Sequence, residues 1–346
     1  MLQSIVNTSL LDDVMMEDPT TNSFQAFMAE ITGHEDSLLV LSGTMGNQVA
    51  LRAALHSSPY GVLCDIRSHI VRMEAGGAAT LCSAYVEGIA PSNGHHLTLE
   101  DVKKRATLRE DVYDCPTRAI CLENTLSGTI MPLEDIRAIS NWAHSLDPPI
   151  HMHLDGARLW EVVAAGAGSL KDYASCFDSL SLCFTKGLGA PIGSIVVGNS
   201  SFVKRARWMR KLLGGGLRQS GIIAAPARIG VEQIFLSGRL CQGQETAKRI
   251  SELWVKLGGK LEHPTETNMV WLDLEAAGVD KERFADMAEK VGIKTMRGLL
   301  QGRLVIHYQI CPEALDSLAS LFAEIHKVKP GETGEGKGVL TNDLTL

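Results

Sequence analysis

Residues 150–198, "IHMHLDGARLWEVVAAGAGSLKDYASCFDSLSLCFTKGLGAPIGSIVVG", decide how this chain folds. The first run is apolar and ends on Asp155. A second run, 179–185, alternates through Leu180, Leu182 and Phe184 and meets Lys186 one residue later. A third apolar run occupies 194–198. The stretch between the first two runs has helix-compatible spacing, so the order is strand, helix, strand. Such units place their strands parallel and adjacent, and ligand groups gather outside the carboxyl ends of those strands. Asp155 and Lys186, about 30 residues apart, then face one crevice.

The same alternation extends both ways. Apolar runs at 37–41, 61–65 and 119–123 read as further strands, and 44–56, 133–146 and 201–213 read as helices. Strands this apolar are covered on both faces, which argues an α/β fold with a mostly parallel sheet and helices on both sides. After about 235 the pattern changes to a long helix near 236–257, a strand pair at 268–274 and 303–309, and helices around them. The expected organisation is a large α/β domain over 1–235, a smaller α+β domain over 236–328, and a glycine-rich polar tail over 329–346 that reads as disordered.

Composition narrows the function classes. The chain of 346 residues carries 33 Lys and Arg against 40 Asp and Glu, a net charge of −7. That balance does not suggest a nucleic-acid partner. The basic run "KRARWMRK" (204–211) reads as a solvated or interface face of a helix. No run has the length of a membrane span, and the acidic start lacks the order of a signal peptide. Eight cysteines form no C-x-x-C pair, so no zinc or redox motif is visible. Most lie in apolar runs, as expected of buried thiols in a reducing compartment, and the cytosol is the expected location.

Three local features point to chemistry. In "LSGTMGNQVALRAAL" (41–55), Gly43 turns, Thr44 can cap, and a helix begins whose free N–H groups suit a phosphate. Any α/β protein needs such turns, so this alone does not define a site. Asp155 ends a strand where ligands bind, and it equally reads as a cap of the next helix. Lys186 is the decisive residue. A lysine desolvated at a strand end becomes a nucleophilic amine of the kind that forms Schiff bases, whereas a lysine reaching solvent does nothing. Together the three suggest pyridoxal 5′-phosphate (PLP), with its phosphate at the helix N-terminus, its ring nitrogen at Asp155 and its aldehyde on Lys186.

The motifs "SGTMGNQ", "SHIVRMEAGGAA", "HLDGARLW", "FTKGLGAPIGS" and "RKLLGGGLRQSG" occur in this order. Together they resemble the threonine aldolase/β-eliminating lyase family of fold-type I PLP enzymes, and its fungal low-specificity L-threonine aldolases in particular. The resemblance implies a Schiff-base role for Lys186 and a ring-nitrogen partner in Asp155. It puts Arg158 near the cofactor's 3′-oxygen and the substrate carboxylate, and Gly43, Thr44 and Met45 around the phosphate. It gives His69 a place stacked on the ring beside the substrate hydroxyl. Arg303, in "GRLVIH", would bind the substrate carboxylate, and Arg218, in "GGGLRQSG", would help hold the phosphate. Without the family, His69 reads as structural and Arg303 as a strand-edge surface residue. The implied reaction is retro-aldol cleavage of a β-hydroxy-α-amino acid to glycine and an aldehyde, in a homodimer or homotetramer.

Two departures from the family pattern stand out. Relatives begin with a segment like D-F-R-S-D-T, whose serine helps bind the substrate carboxylate, and "MLQSIV" resembles the region after it. In "LENTLSGTIMPLED" (122–135) the chain has Leu126 and Ser127 where relatives carry a histidine. Serine hydrogen-bonds but is no base near neutral pH, so His69 or a water is expected to take the hydroxyl proton. Amino-acid racemases on the same scaffold need no such base, and a racemase is the alternative.

Overall fold

The computed structural model of the protein describes residues 1–296, 298 and 302–326. The expected disordered tail over 329–346 lies outside them. The chain divides into two compact units, one of Met1–Leu126 with Ile130–Ser237, the other of Ser127–Thr129 with the described residues from Gly238 onward.

The first unit is built on seven strands: β1 (Asp36–Val40), β2 (Gly61–Asp65), β3 (Tyr85–Ile89), β4 (Thr117–Glu123), β5 (His151–Asp155), β6 (Ser179–Cys183) and β7 (Ser194–Gly198). Their order across the sheet is β1-β7-β6-β5-β4-β2-β3. Only β7 runs against its neighbours. The rest are parallel, so the ends of β4, β5 and β6 open on one side, with Glu123 opposite Asp155 and Asp155 opposite Ser181.

Helices cover both faces, and β1 shows how its sequence arranges this. Leu38 and Val40 point into a cluster with Val49, Ala50 and Ala53 of the Gly43–Ala54 helix and with Val203 and Ala206 of the Ser200–Leu212 helix. Ser37 points the other way, to the Pro19–Thr32 helix, where its hydroxyl donates to Gln25 O at 2.8 Å and the Gln25 side chain accepts from Leu39 N at 3.0 Å. That period of two follows from the pleat.

The Gly43–Ala54 helix lies over β5, β6 and β7. A Cβ at Gly46 would stand 2.2 Å from Ser181 Oγ, so only glycine lets the helix come this close to β6. Its cap is Ser42, not Thr44 as expected. Ser42 has extended backbone and its hydroxyl accepts from Met45 N at 3.1 Å, whereas Gly43 is already helical.

In the basic run 204–211, expected to be a solvated or interface face, Lys204 and Lys211 are exposed but Arg210 is not. Arg210 is buried, donating to Asp13 at 2.6 Å and to Leu39 O at 2.7 Å, and Arg205 donates to Ala53 O at 3.0 Å. Trp208 is also exposed, at 73%. Buried arginines persist where fixed acceptors replace their hydration.

The second unit holds a three-stranded antiparallel sheet of β8 (Lys260–Leu261), β9 (Met269–Asp273) and β10 (Arg303–Val305), in the order β10-β9-β8. Its core gathers Trp254 and Phe322, with ring centroids 4.8 Å apart, around Val270, Leu272 and Leu318. Among the described residues no helix is long and apolar enough to cross a membrane.

Candidate active site

The site grows from the close approach at Gly46. The next residue, Asn47, is buried, and its amide nitrogen donates to two carboxylates, Asp155 Oδ2 at 2.8 Å and Glu74 Oε1 at 2.8 Å. Its oxygen faces His153 Nε2 at 3.2 Å. His153 is wholly buried, which pushes its pKa down to about 3, so it is a neutral donor to Asn47. Ser179 completes this chain at His153 Nδ1, 2.8 Å away. Gln48 adds a second amide to Glu74, at 2.6 Å from Oε2. Nδ1 of His69 lies 2.8 Å from Glu74 Oε1. His69, Glu74 and Asp155 thus hold their polar atoms within 4.8 Å of one another, with the Asn47 amide between the two carboxylates.

Asp155 ends β5. Its Oδ1 accepts from Ala157 N at 3.0 Å, a local turn, and the cap of the following Leu159–Ala164 helix is Arg158. The alternative reading of Asp155 as that helix's cap is therefore set aside. Glu123, its partner in register on β4, accepts from the backbone N–H of His69 at 2.8 Å. Packing around Glu123 and the nearby Asp155 charge raise its carboxyl to about 8, against the pull of Lys186 and Arg158. Arg158 is itself stripped of water, which lowers its pKa, and Glu123, Cys183, Glu161 and Asp155 supply the compensating negative field. Lys186 stands beyond the end of β6 and draws the Cys183 thiol below its ordinary range despite burial. Among the described residues Lys186 makes no side-chain hydrogen bond or ion pair.

The Glu123 proton has a testable consequence. The folded chain keeps it up to about pH 8, whereas the unfolded chain releases it near 4.5, so folding loses stability as pH rises between those values. Glu123→Gln keeps an acceptor for His69 N–H. It is expected to raise the Tm of the cofactor-free protein at pH 8 and leave it nearly unchanged at pH 4.5. Equal shifts at both pH values would contradict the assigned proton.

Asp155, His69, Lys186 and Arg158 therefore all act on Glu123 at these strand ends. Gly43 and Thr44 open the helix whose Asn47 reaches Asp155, and their N–H groups have no acceptor among the described residues. The Met45 amide is taken by Ser42, and a Cβ at Gly215 would meet Met45 Cε at 2.7 Å, so the glycine loop after the basic helix packs on this residue. Arg218 is an exposed residue paired with Asp12. Arg303 belongs to the second unit, on β10, with its guanidinium 5.8 Å from the centroid of the Trp271 ring. Asn124 clasps the 122–135 loop, exchanging two hydrogen bonds of 3.1 Å with the Met131 backbone. In that loop Leu126 is buried, and the Ser127 carbonyl accepts from Trp271 Nε1 at 2.7 Å.

Sequence reasoning missed Asn47, Gln48, Glu74, Glu123 and His153. Glu123 was within reach, since "AICLE" ends on a carboxylate as "IHMHLD" does. The donor set suits PLP. An unpaired amine, a carboxylate already fixed as an acceptor, and two open amides at a helix N-terminus match its aldehyde, its protonated ring nitrogen and its phosphate.

The aldolase vrtJ of Penicillium aethiopicum is 51% identical over 325 residues, covering 94% of this chain and 82% of that protein. The low-specificity L-threonine aldolase of Candida albicans is 42% identical, over 92% of this chain and 84% of its own. The alanine racemase TOXG of Cochliobolus carbonum is 41% identical, over 95% and 85%. A crystal structure of a putative L-allo-threonine aldolase from Listeria monocytogenes shares the fold, with a TM-score of 0.76 at 24% identity over 94% of this chain and 92% of that one. The model of the beta-eliminating lyase family matches residues 1–277, and with relatives at this identity and coverage the chain belongs to that family.

Proposed function

We propose that this protein is a PLP-dependent lyase that cleaves L-threonine or L-allo-threonine to glycine and acetaldehyde. The observation that carries the reading is the Lys186 amine, unpartnered among the described residues, beyond the end of β6, with the fixed carboxylate of Asp155 at the end of the adjacent β5. PLP, held by Lys186, Asp155 and the amides of Gly43 and Thr44, supplies a sink for the electron pair released at the substrate's Cα. The chain's own residues then do the rest. Asp155 fixes charge opposite the ring nitrogen, Arg158 pairs with the substrate carboxylate, Arg218 adds charge for the phosphate, and His69 stands by the hydroxyl. Orientation decides which Cα bond breaks, so a guanidinium that can hold a carboxylate in two-point contact suits this chemistry.

The relatives named aldolase support the lyase reading. Identity to TOXG, with Leu126 and Ser127 in the histidine's place, supports amino-acid racemisation as the second reading. A homodimer or homotetramer is part of the proposal, supported by the exposed Leu2, Val6, Leu10 and Met15 along the first segment. A cytosolic location is also proposed, and it fits the buried free thiols of Cys64, Cys82, Cys121, Cys176 and Cys183.

The test is direct. Reconstituted with PLP, the protein is incubated separately with L-threonine, L-allo-threonine and L-alanine. Acetaldehyde with glycine from either hydroxy acid is expected. D-alanine without acetaldehyde would make the protein a racemase.

A further inference from the structure

We propose that Glu74 is the residue that makes His69 the proton acceptor of this site, by holding its Nδ1–H and leaving Nε2 bare toward the substrate hydroxyl. The inference rests on the lyase reading for its substrate and on geometry for everything else.

Glu74 is wholly buried at its side chain, and three donors converge on it. Asn47 and Gln48 can offer it only N–H, because their amide oxygens face His153 and Cys82. A carboxylate in that position is an acceptor, so the third partner, His69 Nδ1 at 2.8 Å, carries its hydrogen. The imidazole is then fixed as the Nδ1–H tautomer, with its lone pair on Nε2. The ring is also held at its main chain, by Glu123 on the His69 N–H. His69 itself is about one-third exposed; its Nδ1 is taken by Glu74, and its Nε2 has no hydrogen-bond partner among the described residues. This is the arrangement a histidine base needs: one nitrogen oriented by a buried carboxylate, the other free.

The step balances. The β-hydroxyl proton goes to Nε2, and the O–H electron pair becomes the second bond of the aldehyde carbonyl. The Cα–Cβ bond breaks, and its pair goes to the sink described above. Glu74 stabilises the imidazolium that results without taking its proton. Ser127, in the position of the family's histidine, is not needed.

Two readouts test this. In cofactor-free protein with 15N-labelled histidine, the His69 signals (assigned by their loss in His69→Gln) are expected to report the Nδ1–H tautomer in the wild type and a mixture in Glu74→Gln. With PLP, Glu74→Gln is expected to lower kcat for threonine cleavage by about 10- to 100-fold, the usual effect of an orienting partner. KM and the absorbance of the lysine-bound cofactor should stay close to wild type, and Glu74→Asp should restore part of the loss. A wild-type His69 in the Nε2–H tautomer would overturn the proposal without any variant having to fold. So would an unchanged tautomer and kcat in Glu74→Gln. Failure of the wild type to cleave threonine would instead refute the lyase reading, and the tautomer would still judge the role of Glu74.

Discussion

Lys186→Ala is expected to abolish turnover, with aldehyde release from L-threonine falling by roughly 10⁴-fold because the residue that holds the cofactor covalently is gone. The visible absorbance of the lysine-bound cofactor should vanish with it. The fold should not suffer. The Lys186 side chain makes no hydrogen bond or ion pair among the described residues, and such positions usually change stability by less than about 0.5 kcal/mol. What changes is the field, since the lysine pulls the Glu123 pKa down and its removal lets that pKa rise further. Activity loss with an unchanged Tm separates a chemical role from a structural one. A variant within tenfold of the wild-type rate would mean that the amine is the solvent-reaching lysine of the plain reading.

Legibility in the sequence follows burial. Strands covered on both faces announce themselves as apolar runs, and β1, β2, β4, β5, β6 and β7 all lie where such runs occur. β3 does not. "YVEGI" is an edge strand paired only with β2, with Tyr85 60% exposed, so nothing forces its residues to be apolar. The site divides in the same way. Lys186 and Asp155 interrupt the ends of apolar runs and stand out against them. Glu74 lies in an irregular stretch, and its burial comes from Asn47, Gln48 and His69, which only the tertiary structure brings there. Asn47 and Gln48 carried a faint signal as adjacent amides in a helix otherwise rich in alanine. Arg210 gave none, because a cation in a basic run reads as solvated until its partner Asp13, nearly 200 residues earlier, is found.

The second large effect is expected at Asp155. Asp155→Ala should lower kcat by about 10³-fold, the scale on which removing one preorganised charge acts in a water-poor site. The folding cost should be smaller. Ala157 N and Asn47 Nδ2 each lose an acceptor, about 1–3 kcal/mol for a group left unpaired, but Asn47 keeps Glu74. Asp155→Asn is the sharper variant for the same role. Both oxygens of Asp155 face N–H donors, so an amide must turn its own N–H₂ on one of them and cannot reproduce the carboxylate. Glu123 is the only complication. Asp155 is part of what keeps Glu123 protonated, so deleting Asp155 lowers the Glu123 pKa and supplies a new carboxylate one strand away. Residual turnover in Asp155→Ala should therefore increase with pH as Glu123 ionises, and Asp155→Ala combined with Glu123→Gln should remove that rise. Wild-type rates in the double variant would mean that no carboxylate at these strand ends matters to the chemistry, and the cofactor assignment would fall with them.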